Sequence, residues 1–190
     1  MRTTATLLLA VELLVPPAMG ADVGDRVGGI RLTDTEGRTH ALSDYAGNVV
    51  VLAFWSFKCP VVHAYHERLR ALRDTYAGRG VVMLAIASNA NETPVEIRRN
   101  AANLRLPYPV LLDTDGVLAS RVGAAYAPSV YILDRGGVIR YQGAIDNNRR
   151  PGESGRVAYA EDALQSILAG RLVEVQEMPP FGCSIRRSSK

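Results

Sequence analysis

Seven consecutive apolar residues, Val49–Trp55, end abruptly in a short polar turn that contains Cys59, and Pro60 follows the cysteine directly. A continuous apolar run of this length is typical of a strand buried on both faces, as in a parallel sheet. After Pro60 the apolar residues recur at steps of three and four, which predicts one face of a helix. These helical positions are Val62, Tyr65, Leu69, Leu72 and Tyr76. Proline suits the first position of a helix, where its missing N–H costs nothing.

Cys59 is therefore predicted at the carboxyl end of a central strand and at the amino end of a helix. Unpaired backbone N–H groups and the helix dipole favour a thiolate over a thiol at such a place. Most free cysteines, in contrast, are buried and serve only as inert packing. The junction between strand and helix favours a reactive Cys59 over inert packing.

Composition and charge exclude some classes of protein. A chain of 190 residues suits one domain with modest additions, and 47% apolar with 22% charged residues is ordinary for a globular protein. The net charge of +3, with dispersed basic residues, gives no reason to expect a nucleic-acid partner. Two cysteines are too few for a disulfide scaffold in a domain of this size.

Residues 1–20 differ from the rest of the chain and are predicted to be a signal peptide. Arg2 gives a positive start, an apolar stretch follows, and small residues precede a cleavage site before Ala21, although Glu12 interrupts the apolar stretch. Cleavage would place the protein in the periplasm or outside the cell. An uncleaved segment would be a membrane anchor, and a misassigned start would leave the protein cytoplasmic. In an oxidising compartment a disulfide between Cys59 and Cys183 becomes possible.

Strand and helix patterns alternate along residues 21–170, with a hairpin at each end. The first hairpin is predicted over residues 24–47, and a helix with a capping box is predicted to begin at Thr93-Pro94-Val95-Glu96. Further strands are predicted at residues 81–87, 110–112, 130–133 and 138–142, and a closing amphipathic helix ends at Gly170. This order indicates an α/β fold with a central mixed sheet flanked by helices. Residues 171–190 are predicted to be a tail that carries Cys183.

The phrases Leu32-Thr33-Asp34-Thr35-Glu36-Gly37 and Leu42-Ser43-Asp44-Tyr45-Ala46-Gly47, followed by the apolar strand into FWSFKCP, resemble thioredoxin-fold redoxins. That superfamily includes the alkyl hydroperoxide reductase/thiol-specific antioxidant proteins, and the likeness covers residues 22–170. It implies a thioredoxin-like fold with an N-terminal β-hairpin extension. Tyr126-Ala127-Pro128-Ser129 resembles the family's cis-proline loop. The resemblance implies that Pro128 lies against the active cysteine and that Pro60, Ala127 and Pro128 bind the substrate.

The tail segment 179–185, PPFGCSI, and Ala144-Ile145-Asp146-Asn147-Asn148 resemble a bacterial redoxin subgroup with a Cys-x-x-Cys-Pro motif. In this chain Ser56 stands where the first cysteine of that motif would be. Ser56-x-x-Cys59 is also similar to the Thr-x-x-Cys site of peroxiredoxins, where a hydroxyl supports the reactive thiolate. The likeness to peroxiredoxins is incomplete, because Pro128 occupies the place of their arginine. The site therefore has a single local thiol.

A lone thiolate can attack a peroxide or a disulfide, and either product needs a second thiol to resolve it. We therefore expect a thiol-dependent oxidoreductase that acts through Cys59 on a peroxide or on a protein or small-molecule disulfide, with an external thiol reductant. Cys183 is a candidate resolving cysteine, a partner in a static disulfide, or a free thiol. The alternative function is an inactive module that binds extended peptides in the cis-proline groove.

Two histidines follow Cys59 on the predicted helix. His63 lies one turn beyond Cys59 and could accept a proton or complete a metal pair, but both His63 and His66 fit exposed helix positions better. Because a metal site needs further ligands, we expect no metal and no cofactor.

Overall fold

The strand that precedes Cys59 forms as the sequence predicts. In the structure, a computed structural model that describes residues 20–148 and 154–187, this strand is bounded by Val49 and Trp55. The strands are β1 (Arg31–Asp34), β2 (Thr39–Ala41), β3 (Val49–Trp55), β4 (Val81–Ala87), β5 (Val110–Leu112), β6 (Tyr126–Ala127), β7 (Ser129–Leu133), β8 (Ile139–Gly143), β9 (Glu177–Met178) and β10 (Cys183–Ser184). The helices are α1 (Pro60–Tyr76), α2 (Pro94–Leu104), α3 (Val117–Val122) and α4 (Tyr159–Leu168), with a 3₁₀ turn at Leu42–Tyr45. The predicted signal peptide lies almost entirely outside the described residues.

One mixed sheet organises the fold, with the strand order β2-β1-β5-β4-β3-β7-β8-β9. Strand β3 lies between β4, with which it is parallel, and β7, with which it is antiparallel. Strands β1 and β2 form the expected N-terminal hairpin, and β7 and β8 form the second. The predicted mixed α/β fold is confirmed, and β7 and β8 differ from their predicted bounds by one residue at the ends.

The core forms around β3, whose seven side chains are all buried. Helix α1 buries the five apolar residues of the predicted face and packs against β4. Because Leu69 is fully buried in this layer, its truncation to alanine is expected to cost about 2–5 kcal/mol. The apolar period after Pro60 therefore predicted the buried face of α1 correctly.

Helix α2 begins with the predicted capping box. The Thr93 hydroxyl accepts a hydrogen bond from the Glu96 backbone N–H at 3.3 Å, and the Glu96 carboxylate accepts one from the Thr93 N–H at 2.8 Å. These bonds satisfy two helix-end donors, and the Thr93 N–H and hydroxyl hydrogen bonds to the Glu96 carboxyl lower its pKa to about 2.

The tail is an integral part of the fold. Strand β9 pairs in parallel with β8, where Gly143 lies opposite Met178. A Cβ at Gly143 would lie 1.8 Å from the Met178 carbonyl oxygen, so only glycine allows the two backbones to approach this closely. Across residues 20–148 and 154–187, no helix has the length and apolar character needed to cross a membrane.

Candidate active site

Cys59 is the N-cap residue of α1, with Pro60 at the first helical position. The buried strand β3 ends four residues earlier, so the cysteine follows the carboxyl end of a central strand, as the sequence predicts. Cys59 is 1% exposed, whereas Pro60 is exposed. The helix begins without a side-chain cap, which leaves its first N–H groups directed toward the site of the cysteine.

Cys59 and Cys183 form a disulfide, with an S–S distance of 2.27 Å and a Cα–Cα distance of 5.9 Å. The bridge joins the start of α1 to strand β10 in the tail, across 124 positions of sequence. Its two ends differ in access, since Cys59 is buried and Cys183 is half-buried. The structure therefore excludes a free Cys183 thiol, and it leaves a resolving cysteine and a static disulfide as the two remaining alternatives.

The tail strand lies against the proline loop. Strand β10 pairs antiparallel with β6, so that Cys183 lies opposite Ala127. The Ala127–Pro128 peptide bond is cis, as the resemblance implies, and Pro128 is buried. The Ala127 carbonyl oxygen lies 3.4 Å from the Cys59 Sγ. The structure thus brings together Cys59, Cys183, Ala127 and Pro128.

Ser56 contacts a residue that the sequence did not single out. Its hydroxyl donates a hydrogen bond to Glu92, whose second carboxylate oxygen accepts the Phe57 N–H at 2.9 Å. Glu92 is only 3% exposed, in the loop between β4 and α2. A buried carboxylate needs such partners, because an unpaired charge is costly to bury. One glutamate in a polar loop carries no sequence signal that would separate it from a solvated residue.

The turn between β3 and α1 is held at both backbone atoms of Phe57. Its N–H binds Glu92, and its carbonyl accepts a hydrogen bond from the His63 Nε2 at 2.9 Å. His63 is exposed, as expected, but His66 is half-buried with its ring 6.1 Å from that of Trp55. Burial lowers the pKa of His66. The expectation that both histidines are exposed is therefore wrong for His66.

A second attachment ties the tail to the loop that carries Glu92. The Arg186 N–H donates to the Asn89 side-chain oxygen at 2.8 Å, and the Arg186 carbonyl accepts the Ala90 N–H at 2.9 Å. One loop therefore contacts both the turn before Cys59 and the segment after Cys183.

The motif around Asp146 is linked to the tail through Tyr65. The fully buried Asp146 carboxylate binds Arg68 at 2.9 Å and Arg156 at 2.9 Å, and accepts the Tyr65 hydroxyl at 2.7 Å. Burial, followed by the hydrogen bond to Asp146, raises the pKa of Tyr65. The Tyr65 ring lies 5.9 Å from that of Phe181, two residues before Cys183. This network supports the surface on which the tail rests.

No group of three or more His, Cys, Asp or Glu residues within the described ranges is arranged to hold a metal ion.

Comparison with known proteins gives a consistent result. Residues 23–142 match the model of the AhpC/TSA family. The thiol-disulfide oxidoreductase ResA of Geobacillus thermodenitrificans is 27% identical over 147 residues, which cover 74% of this chain and 83% of ResA. The thiol:disulfide interchange protein DsbE of Vibrio cholerae is 30% identical over 131 residues, 67% of this chain and 68% of DsbE.

Solved structures show the same fold. A hypothetical protein from Sinorhizobium meliloti aligns with a TM-score of 0.80 at 27% identity, covering 90% of this chain and 97% of that one. A thiol:disulfide interchange protein DsbE from Chlorobium tepidum aligns with a TM-score of 0.63 at 22% identity, covering 78% and 96%. The thioredoxin-like fold is confirmed.

The relatives also bear on function. Both ResA and DsbE are named for thiol–disulfide chemistry, which confirms the expectation of a thiol-dependent oxidoreductase. The alternative of an inactive binding module finds no support in these relatives. The matched family model spans well over half of the sequence, and the chain belongs to the AhpC/TSA family.

Proposed function

We propose that this protein reduces the disulfides of an external substrate, with Cys59 as the attacking thiol and Cys183 as the resolving thiol. The observation that carries the proposal is the Cys59–Cys183 disulfide at the N-terminus of α1, beside the cis Ala127–Pro128 bond. A reversible bridge at this place is the oxidised product that such a reaction would leave.

The reaction has two exchange steps. The Cys59 thiolate attacks one sulfur of the substrate disulfide, which forms a mixed disulfide and releases the other substrate sulfur as a thiolate. The Cys183 thiolate then attacks the Cys59 sulfur, forms the intramolecular bridge and releases the second substrate sulfur. The substrate gains two electrons, and the Cys59–Cys183 pair is oxidised.

A disulfide substrate fits the site better than a peroxide. The Ser56 hydroxyl, which would have to support a peroxidatic thiolate, donates its hydrogen bond to Glu92. Pro128 stands where peroxiredoxins place an arginine. In this proposal Ser56 helps to hold the turn before Cys59, while Pro60, Ala127 and Pro128 line the substrate site.

An external thiol must then reduce the bridge. Because Cys59 is 1% exposed and Cys183 is half-buried, the reductant is expected to attack Cys183. Cys59 would leave as a thiolate at the helix N-terminus, where the dipole stabilises negative charge, and a stabilised thiolate is a good leaving group. A second reductant thiol releases Cys183.

We also propose that the protein is exported, with residues 1–20 removed before Ala21. The proposal is supported by the charge and apolar pattern of this segment and by the disulfide, which persists in oxidising compartments. N-terminal sequencing of the protein recovered from the periplasm or medium tests it. A mature chain that retains Met1 would contradict cleavage.

The test of the reaction is turnover of a model protein disulfide, with dithiothreitol as the reductant. Cys59→Ser is expected to abolish activity. Reduced Cys183→Ser protein, mixed with the substrate after the dithiothreitol has been removed, is expected to stop after the first step and to accumulate a mixed disulfide on Cys59, which peptide mapping under non-reducing conditions would locate. Full turnover by Cys59→Ser would rule out this mechanism.

Peroxide serves as the matched comparison. Hydrogen peroxide consumption by the wild-type protein is expected to be much slower than disulfide reduction under the same reductant. If peroxide is instead consumed faster, the proposed preference for disulfides is wrong.

A further inference from the structure

The tail segment Phe181–Ile185 lies beside the cis-proline loop in the manner of an added strand. Cys183 and Ser184 pair antiparallel with Ala127 and Tyr126, and the Ile185 N–H donates to the Ala125 carbonyl at 2.8 Å. Backbone hydrogen bonds of this kind are the usual means by which a sheet edge holds an extended peptide.

Gly182 occupies the tightest position of this segment. A Cβ at Gly182 would lie 2.2 Å from the Ala127 carbonyl oxygen and 3.0 Å from the Pro128 Cδ. A flexible side chain could move away from such a Cβ atom, but the backbone carbonyl of Ala127 cannot. The residue before the cysteine must therefore be glycine whenever a chain follows this path.

The neighbouring tail positions meet different surroundings. Phe181 packs its ring against Tyr65 at 5.9 Å, and Ile185 is 8% exposed. Ser184 is exposed. The surface thus accepts an aromatic residue two positions before the cysteine and an aliphatic residue two positions after it. The residue directly after the cysteine is unconstrained.

We infer that the tail is an internal copy of the substrate segment, and that preferred protein substrates present their cysteine as aromatic-Gly-Cys-x-aliphatic. This inference rests on the proposed disulfide exchange. A substrate cysteine has to reach the same Cys59 sulfur along the same strand edge, and the overlap at Gly182 arises from Ala127 and Pro128, which are present whichever chain is bound. The tail and the substrate compete for strand β6.

The covalent chemistry is that of the proposed function. The Cys59 thiolate forms a disulfide with the glycine-flanked cysteine, and the former partner of that cysteine leaves as a thiolate. Cys183 then displaces the substrate from Cys59 as its tail returns to β6. An external thiol reductant then reduces the Cys59–Cys183 disulfide.

The experiment uses the reduced full-length Cys183→Ser protein and the peptide Pro-Phe-Gly-Cys-Ser-Ile, with its cysteine in a disulfide with thionitrobenzoate. Attack by Cys59 captures the peptide and releases coloured thionitrobenzoate. A peptide with alanine in place of glycine is expected to be captured about tenfold more slowly, because an added methyl group overpacks the contact. A peptide with alanine in place of the serine is expected to react at the original rate.

A second substitution, made in the tail of the protein, is expected to change the rate of peptide capture in the opposite direction. Adding Gly182→Ala to the Cys183→Ser protein is expected to accelerate capture of the glycine peptide, because the protein's own tail then loses its place on β6. A general structural defect would slow capture instead. Opposite effects of the same substitution in peptide and tail would identify a shared site.

Equal capture of the glycine and alanine peptides would overturn this inference, as would slower capture by the Gly182→Ala protein. In either case the proposed function survives if Cys59 still reacts with the symmetrical disulfide of thionitrobenzoate. Failure to react with that small disulfide as well would overturn the proposed function itself.

Discussion

The hydroxyl of Ser56 donates a hydrogen bond to the buried carboxylate of Glu92, 36 positions further along the chain. The same carboxylate accepts the N–H of Phe57, two residues before Cys59. Glu92 therefore orders the turn that carries Cys59 and brings a buried carboxyl group to that turn.

We predict that Glu92→Gln accelerates alkylation of reduced Cys59 at neutral pH by about threefold to tenfold, because a carboxylate bound to the turn before Cys59 would oppose the thiolate and a glutamine would not. The glutamine keeps an oxygen that can accept the Phe57 N–H. The rate of iodoacetamide modification measures the effect.

Glu67→Gln is the matched control for Glu92→Gln, since Glu67 lies on α1 but its side chain is 80% exposed. Solvent screens such a charge, and wild-type alkylation is expected. An unchanged rate in Glu92→Gln would show that Glu92 acts only by holding the turn.

Reduction of the Cys59–Cys183 bridge is expected to lower the free energy of unfolding by about 4–5 kcal/mol, because the bridge closes a loop of 124 positions. Urea unfolding with and without dithiothreitol measures the difference. Cys183→Ser should unfold identically under both conditions. Equal stability of the wild-type protein with and without reductant would contradict the estimate.

The half-buried position of Cys183 gives a further criterion. A catalytic bridge should be reduced by mild reductant in the folded protein, whereas a purely structural bridge should resist it. Mass spectrometry of alkylated samples distinguishes the two states.

The sequence predicted the elements that carry their own pattern. Three such patterns are the apolar run of β3, the proline at the start of α1 and the capping box of α2. Each depends only on residues that are close together in the chain. The approach of Cys183 to Cys59 was left open, because it depends on strand β10 pairing with the two-residue strand β6. Such short strands have no periodicity to detect.

Helix α3 was not predicted from the sequence, and the reason is physical. It begins after Gly116 without a side-chain cap at that position. The buried Asp113 supplies the cap from three residues earlier, by accepting the N–H groups of Leu118 at 2.9 Å and Ala119 at 3.0 Å. In the sequence, Asp113-Thr114-Asp115-Gly116 resembles an ordinary turn. Glu92 was missed likewise, since burial of a charge depends on tertiary structure.

Asp146→Ala is expected to destabilise the fold by about 3–5 kcal/mol, because it leaves Arg68, whose side chain is 15% exposed, without its carboxylate partner. Chemical denaturation measures the loss.

Arg156→Ala removes the other arginine of this network and serves as the control. Its side chain is 42% exposed, so a loss of less than about 1 kcal/mol is expected. Equal losses from the Asp146 and Arg156 substitutions would show that burial does not set the strength of these pairs.

The buried Asp34 of the N-terminal hairpin is expected to make the free energy of unfolding depend on pH in the acidic range. Although burial alone would raise its pKa, hydrogen bonds from His40 and Arg38 lower it from 3.8 to about 2. A lowered pKa in the folded state means that the unfolded chain binds the proton more readily. The stabilisation is therefore present above about pH 4 and is lost as the pH falls through about 2.

We predict that Asp34→Asn lowers the free energy of unfolding at neutral pH by about 1–2 kcal/mol, a range reduced because the Arg38 side chain is 58% exposed. The deficit should shrink as the pH falls through the titration range of Asp34, because the wild-type carboxylate then takes up a proton. Urea unfolding of both proteins across this range gives the two stability curves. Curves that remain parallel throughout would show that Asp34 is not the titrating group.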